Sequence, residues 1–189
     1  MAAEGTRVVY YLGLGTNLGR RRANLARAGR LLERRGVEVR RASSIYETEP
    51  VDYLDQPWFL NQVLEVRSDL EPADLLSLIK SVEADMKRVP GVPKGPRVID
   101  IDILLAEDMV LETSELVIPH PRLHLRNFVL VPLAELAPSR RHPVLGRTVA
   151  GLVRHSTDIS RVERRYANRP SGPVRGRRQR PSRSGTPRP

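Results

Sequence analysis

The chain has 189 residues, enough for one domain with its own core, and 40% of them are apolar. It has no cysteine, which excludes disulfides and thiolate metal sites, and no apolar run approaching the roughly eighteen residues of a membrane span. The formal charge of +10 is unevenly placed: residues 161–189 hold ten arginines and one acid, so residues 1–160 are close to neutral and the basicity does not mark the folded part as a nucleic-acid binder.

In chain order, Arg7 to Leu14 reads as a largely buried strand that opens the fold. The N-terminus lacks both the basic stretch and the apolar stretch of a secretory signal, so a cytoplasmic protein is expected. Gly15-Thr16-Asn17-Leu18-Gly19 breaks the strand, and a helix is expected from Arg20 to Arg35, with Leu25, Ala28 and Leu32 on one stripe and Gly36 as its stop. Val37 to Tyr46 reads as a second strand, Thr48 to Pro57 as a proline- and acid-rich loop, and Trp58 to Arg67 as a third strand.

A second helix begins at Pro72, which suits the first helical position, and carries Leu75, Ile79, Val82 and Met86 at 3-4 spacing. Arg88 to Lys94 is another loop. It leads into Gly95-Pro96-Arg97-Val98-Ile99-Asp100-Ile101-Asp102-Ile103-Leu104, whose alternation is that of a strand. Met109 to Leu111 suggests a short hairpin strand, and Phe128 to Leu136 a further helix. The order β-α-β, β-α-β predicts an α+β fold, a ferredoxin-like βαββαβ sandwich with an antiparallel sheet, helices packed on one face and an extra C-terminal helix. One domain over residues 1–166 is expected. Residues 167–189, rich in Arg, Pro, Ser and Gly, are expected to be a disordered tail.

The acidic strand carries the most chemistry. Asp100 and Asp102 lie at i and i+2, about 6.5–7 Å apart along the backbone and on one face, opposite Ile99, Ile101 and Ile103. Aspartate is depleted in strands, and two like charges on one face repel unless a cation joins them. Magnesium at phosphate sites uses one or two carboxylates plus substrate oxygens, and Arg97 adds a charged fork for phosphate. The other reading of this pair is a solvated strand face.

Three other segments bear on function. Gly13, Gly15 and Gly19 follow a strand and precede a helix, but match neither the dinucleotide fingerprint nor the Walker A pattern, so a tight turn is the expected role. Pro119 to Phe128 gathers His120, Arg122, His124, Arg126 and Phe128, a set suited to phosphate and a flat ring, or to a solvated basic turn. Phe59 and Asn61 share a strand face, either as an aromatic plate beside an amide or as core plus a bonded Asn.

Together these segments resemble the 6-hydroxymethyl-7,8-dihydropterin pyrophosphokinase (HPPK) family of folate biosynthesis. The resemblance runs from Val8 to about Pro138, through Leu14–Gly19, Ser44–Pro50, Gln56–Asn61, Gly95–Leu104, Pro119–Arg122 and Arg126–Leu130. It implies an ATP-dependent diphosphotransferase that moves pyrophosphate from ATP to the pterin hydroxymethyl group and releases AMP. It also implies two Mg²⁺ ions on Asp100 and Asp102. Phe59 and Phe128 correspond to the family's two pterin-stacking positions, Asn61 to the amide at the ring edge, and Thr48 with Val51 to the rest of that pocket.

By the same resemblance Arg97, His120 and Arg126 bind the triphosphate, Glu83 and the backbone around Ile103 lie at the nucleoside end, and Arg88 is a loop arginine that folds over the phosphates. The chain departs from the family pattern at Pro90, where many members carry a second arginine, and at Lys94, where many carry an aromatic. Expected partners are therefore the two small-molecule substrates, with no membrane, no specific nucleic acid and a monomeric state. Two alternatives are a ferredoxin-like RNA-binding protein, which needs exposed sheet aromatics in an RNP-type pattern, and an inactive scaffold homologue, which would have lost the metal pair or Arg97.

Overall fold

The computed structural model describes residues 7–51, 54–87 and 95–167. Its centre is β4 (Phe59–Ser68), ten residues long, which pairs antiparallel with β1 (Val8–Thr16) along its whole length. On the other side of β1 lies β5 (Asp100–Ala106), also antiparallel, with a bulge opposite Tyr11/Leu12. The far side of β4 is shared by β2 (Glu38–Ala42) and β3 (Ile45–Thr48). The sheet order is β5-β1-β4-β3-β8, with β2 beside β4, and β8 (Val162–Tyr166) forms an edge against β3.

The expected single strand over 37–46 is thus two strands separated at Ser43 and Ser44. Both serines are buried, so their polar groups need partners. The Ser43 N–H donates to Val63 O at 2.8 Å, and Ser43 Oγ accepts from the Val63 N–H. The Ser44 N–H and hydroxyl donate to the Glu135 carboxylate, which also accepts from the Tyr46 hydroxyl at 2.8 Å.

The helices divide between the faces. Helices α1 (Arg21–Arg34) and α2 (Pro72–Asp85) pack on one face, where Leu25, Ala28, Leu32, Leu75, Ile79 and Val82 meet Tyr10, Leu12, Leu14, Ile101 and Ile103. This is the ferredoxin-like arrangement, with the apolar alternation of β1 and β5 turned toward the helices. The C-terminal helices α3 (Asn127–Leu136) and α4 (Val149–Arg154) cover part of the opposite face, over Tyr11, Val63, Leu104 and Leu105. A hairpin of β6 (Leu111–Glu112) and β7 (Val117–Ile118) adjoins β5 where a short hairpin strand is expected. Helix α4 and strand β8 have no counterpart in the expected elements. No helix among the described residues is long and apolar enough to cross a membrane.

Candidate active site

Strand register builds the floor of a cavity of about 280 Å³ on the α3 side of the sheet. Across it, Asp100 of β5 pairs with Gly15 of β1, and Gly15 with Asn61 of β4; in the next row Asp102 pairs with Gly13 and Gly13 with Val63. Side chains two apart share a face. The register therefore places Asp100 and Asp102 on the same side as Phe59 and Asn61, with glycines between the two pairs. Ile99, Ile101 and Ile103 are buried on the other side, as the alternation predicts.

Gly13 and Gly15 lie inside β1 and not in a turn, so the expected tight turn reduces to Gly19, whose φ is +62°. What Gly15 supplies is close approach: a Cβ there would stand 2.9 Å from Asn61 Oδ1. Asn61 is itself buried, and its Nδ2 donates to Thr48 Oγ1 at 2.8 Å, which fixes the amide orientation and presents Oδ1 toward Gly15. Thr48, Val51, Phe59, Asn61 and Phe128 all line the cavity, Phe128 coming from the first turn of α3. The Arg126 guanidinium lies 5.5 Å from the centre of the Phe128 ring.

The charged end of the cavity holds Arg97, Asp100, Asp102, His120 and Arg126. Arg97 Nη1 donates to Asp100 Oδ2 at 2.5 Å. Its backbone is held by Asn17: the Arg97 N–H donates to Asn17 Oδ1, and the Asn17 N–H donates to Arg97 O. Asn17 Nδ2 reaches Gln56 Oε1 and Pro57 O, both at 3.0 Å. One buried asparagine thus ties the segment leading into β5 to the loop leading into β4.

Burial, with Arg126 and Arg122 nearby, pushes the His120 imidazolium down to about 4. His120 is neutral at pH 7, and its Nδ1 accepts from the Arg122 N–H at 3.2 Å, which leaves the proton on Nε2 as a donor. Gly15, Glu49, Gln56 and Arg122 also line the cavity; each lies in a segment that carries the family resemblance, but only Arg122 is singled out there for binding, as part of the cationic set around His120.

Two expected residues stand elsewhere. Glu83 is buried on α2, and its carboxylate accepts the Ile101 N–H at 2.8 Å. Ile103 is buried in the core between the sheet and α1/α2. The Glu83 carboxylate and the Ile103 side chain lie on the α1/α2 side of the sheet and not among the cavity residues, while the Ile103 backbone is part of β5 itself. Arg88, Pro90 and Lys94 fall outside the described residues.

Asp100 and Asp102 are hard oxygen donors facing one cavity beside Arg97, His120, Arg122 and Arg126. Among the described residues no group of three or more His, Cys, Asp or Glu could hold a metal by itself. A carboxylate pair of this kind fits Mg²⁺ that completes its shell with phosphate oxygens, and does not fit a site closed by protein ligands alone.

Residues 11–138 match the family described as 7,8-dihydro-6-hydroxymethylpterin-pyrophosphokinase (HPPK). The chain belongs to the HPPK family. It is 45% identical over 129 residues to the 2-amino-4-hydroxy-6-hydroxymethyldihydropteridine pyrophosphokinase of Bacillus subtilis, covering 68% of this chain and 77% of that one. It is 42% identical over 134 residues to the enzyme of the same name from Aquifex aeolicus, covering 71% and 83%. A mitochondrial folate synthesis bifunctional protein of Arabidopsis thaliana is 45% identical over 128 residues, but the match spans only 23% of that longer chain.

In fold the chain is similar to the Plasmodium falciparum HPPK-DHPS A437G with SDX-DHP, with a TM-score of 0.65 at 20% identity over 81% of this chain and 46% of that one. Membership in the HPPK family makes the chain a pyrophosphokinase of folate biosynthesis. Neither alternative is supported: α3 and α4 cover part of the sheet face that an RNA-binding module would leave open, and Asp100, Asp102 and Arg97 are all present in the cavity.

Proposed function

We propose that this cavity binds ATP and 6-hydroxymethyl-7,8-dihydropterin together and transfers the terminal pyrophosphoryl group to the pterin hydroxymethyl oxygen. The observation that carries the reading is the meeting of Thr48, Val51, Phe59, Asn61 and Phe128 with Arg97, Asp100, Asp102, His120 and Arg126 around one cavity. The flat heterocycle stacks on Phe59 and Phe128, and Asn61, oriented by Thr48, reads its edge. Phosphate oxygens meet Arg97, Arg126 and the Nε2–H of neutral His120.

Asp100 and Asp102 hold two Mg²⁺ ions in this reading, and when bound those ions neutralise charge on the phosphate oxygens. The hydroxymethyl oxygen gives up its proton and bonds to the β-phosphorus, while the bond from that phosphorus to the α,β-bridging oxygen breaks and AMP leaves with the oxygen. No side chain in the cavity is required as a strong base. Arg97 orients both phosphate and Asp100, and the chain contributes chiefly alignment and preorganised charge. Arg88 is assigned to the loop that covers the phosphates. Glu83, which holds β5 through the Ile101 N–H, and the backbone around Ile103 are assigned to the nucleoside end.

The catalytic unit in this reading is residues 1–166, acting as a cytoplasmic monomer. The test is substrate dependence. ATP consumption with Mg²⁺ requires 6-hydroxymethyl-7,8-dihydropterin and does not occur with the same pterin lacking its hydroxymethyl group. Equal consumption without the hydroxyl would overturn the assignment of the acceptor.

A further inference from the structure

The two aromatic plates of the cavity stand on separate elements. Phe59 begins β4, directly after Trp58, and Phe128 sits in the first turn of α3. The segment from Asp158 to Val162, which lies beyond the family match at residues 11–138, touches both sides. On the α3 side, Asp158 Oδ2 accepts the Asn127 N–H at 2.7 Å, and Asp158 O accepts from Asn127 Nδ2 at 2.6 Å. Arg126, the residue before α3, makes no side-chain cap, so the carboxylate that meets the first helical N–H comes from Asp158.

Asn127 Oδ1 is buried with no hydrogen-bond partner among the described residues, while its N–H and Nδ2 both go to Asp158. Asp158 is in turn fixed by Ser160, whose N–H and hydroxyl both donate to Oδ1 at 2.9 and 2.6 Å. These bonds, with Arg126 nearby, hold the Asp158 carboxyl below its usual range despite partial burial.

Three residues on, Arg161 grips the opposite side. Its N–H donates to Glu49 Oε2, its carbonyl accepts the Glu49 N–H, both at 3.2 Å, and its guanidinium lies 5.5 Å from the centre of the Trp58 ring. Val162 then pairs with Thr48.

The geometry points to Asp158 as a positioning residue for the pterin half of the cavity: through Asn127 it sets where Phe128 stands relative to Phe59, with Arg161 as the opposite anchor. This rests on the reading of Phe59 and Phe128 as the pterin plates. Loss of the cap displaces the start of α3, with Arg126 beside it, and weakens pterin capture, while Arg97, Asp100 and Asp102, which hold the phosphates from β5 and its approach, keep their places.

The experiment is steady-state kinetics on the full-length chain at saturating ATP and Mg²⁺, with Asp158→Ala, Asp158→Asn and Phe128→Ala. Asp158→Ala is expected to raise the pterin KM about tenfold with kcat within about twofold. Asp158→Asn, which retains an acceptor for the Asn127 N–H, is expected to recover most of that loss. Thermal unfolding of each variant shows whether it is folded. An Asp158→Ala enzyme that is folded and has the wild-type KM overturns the positioning role, as does an equal loss in Asp158→Asn. An unchanged KM in Phe128→Ala overturns the plate assignment itself. A raised KM in Phe128→Ala with none in Asp158→Ala leaves the plates in place and removes only the inference about Asp158.

Discussion

Gly15 and Asn61 face each other across β1 and β4, and a single added methyl on Gly15 would come within 2.9 Å of Asn61 Oδ1. The contact is with an amide oxygen already committed in orientation by the Nδ2 bond to Thr48. Gly15→Ala therefore displaces the ring-edge reader without touching the carboxylates. Its pterin KM is expected to rise about tenfold, the scale of one mispositioned buried hydrogen bond, with little change in the ATP KM. Kinetics with each substrate varied in turn check this.

Asp102 is exposed at the cavity and lies beside Gly13, so its side chain supports no part of the core. Asp102→Ala is expected to lower kcat by about a hundredfold or more, the scale of losing one preorganised charge element, while the thermal midpoint stays near that of the parent. A variant that unfolds at markedly lower temperature would assign Asp102 a structural role.

Much of this site was readable because alternation survives in β5 and β4: period two put Asp100 with Asp102, and Phe59 with Asn61, on one face each. What alternation cannot give is which strands neighbour each other, and it is the β5-β1-β4 order that brings the two pairs together, with Gly15 between Asp100 and Asn61. Strand β8 was illegible for another reason. Val162–Tyr166 is an arginine-rich edge with no apolar alternation, and it is held by cross-strand ion pairs such as Arg165 with Glu47 at 2.7 Å. The break at Ser43 and Ser44 depends on Glu135, which lies 91 residues from Ser44. The resemblance places Glu83 at the nucleoside end, and only the fold shows its carboxylate turned inward to Ile101.

That inward carboxylate gives a stability prediction. Glu83→Ala leaves the buried Ile101 N–H without this acceptor and is expected to cost about 1–3 kcal/mol of folding stability. Glu83→Gln retains an acceptor and is expected to lose less. Chemical denaturation of both variants checks the ranking, and an Ala variant as stable as the parent would mean the bond contributes nothing.

His120 supplies a pH dependence in the unliganded protein. Its folded value of about 4 lies below the ordinary 6.5, so between these values the unfolded chain binds more protons. The contribution to stability is fully present above about 6.5 and is lost as pH falls toward 4. Denaturation curves from pH 7 to pH 4 are expected to show a steeper decline for the parent than for His120→Gln. Identical slopes would place the imidazole in a more solvated setting than the structure gives it.

Whether ATP is cut between its α- and β-phosphorus atoms is reported directly by the nucleotide product. The full-length chain with ATP, Mg²⁺ and 6-hydroxymethyl-7,8-dihydropterin is expected to yield AMP in equal amount to the pterin diphosphate. Pterin-dependent ADP in place of AMP would show single phosphoryl transfer and contradict the mechanism assigned to Arg97, Asp100 and Asp102.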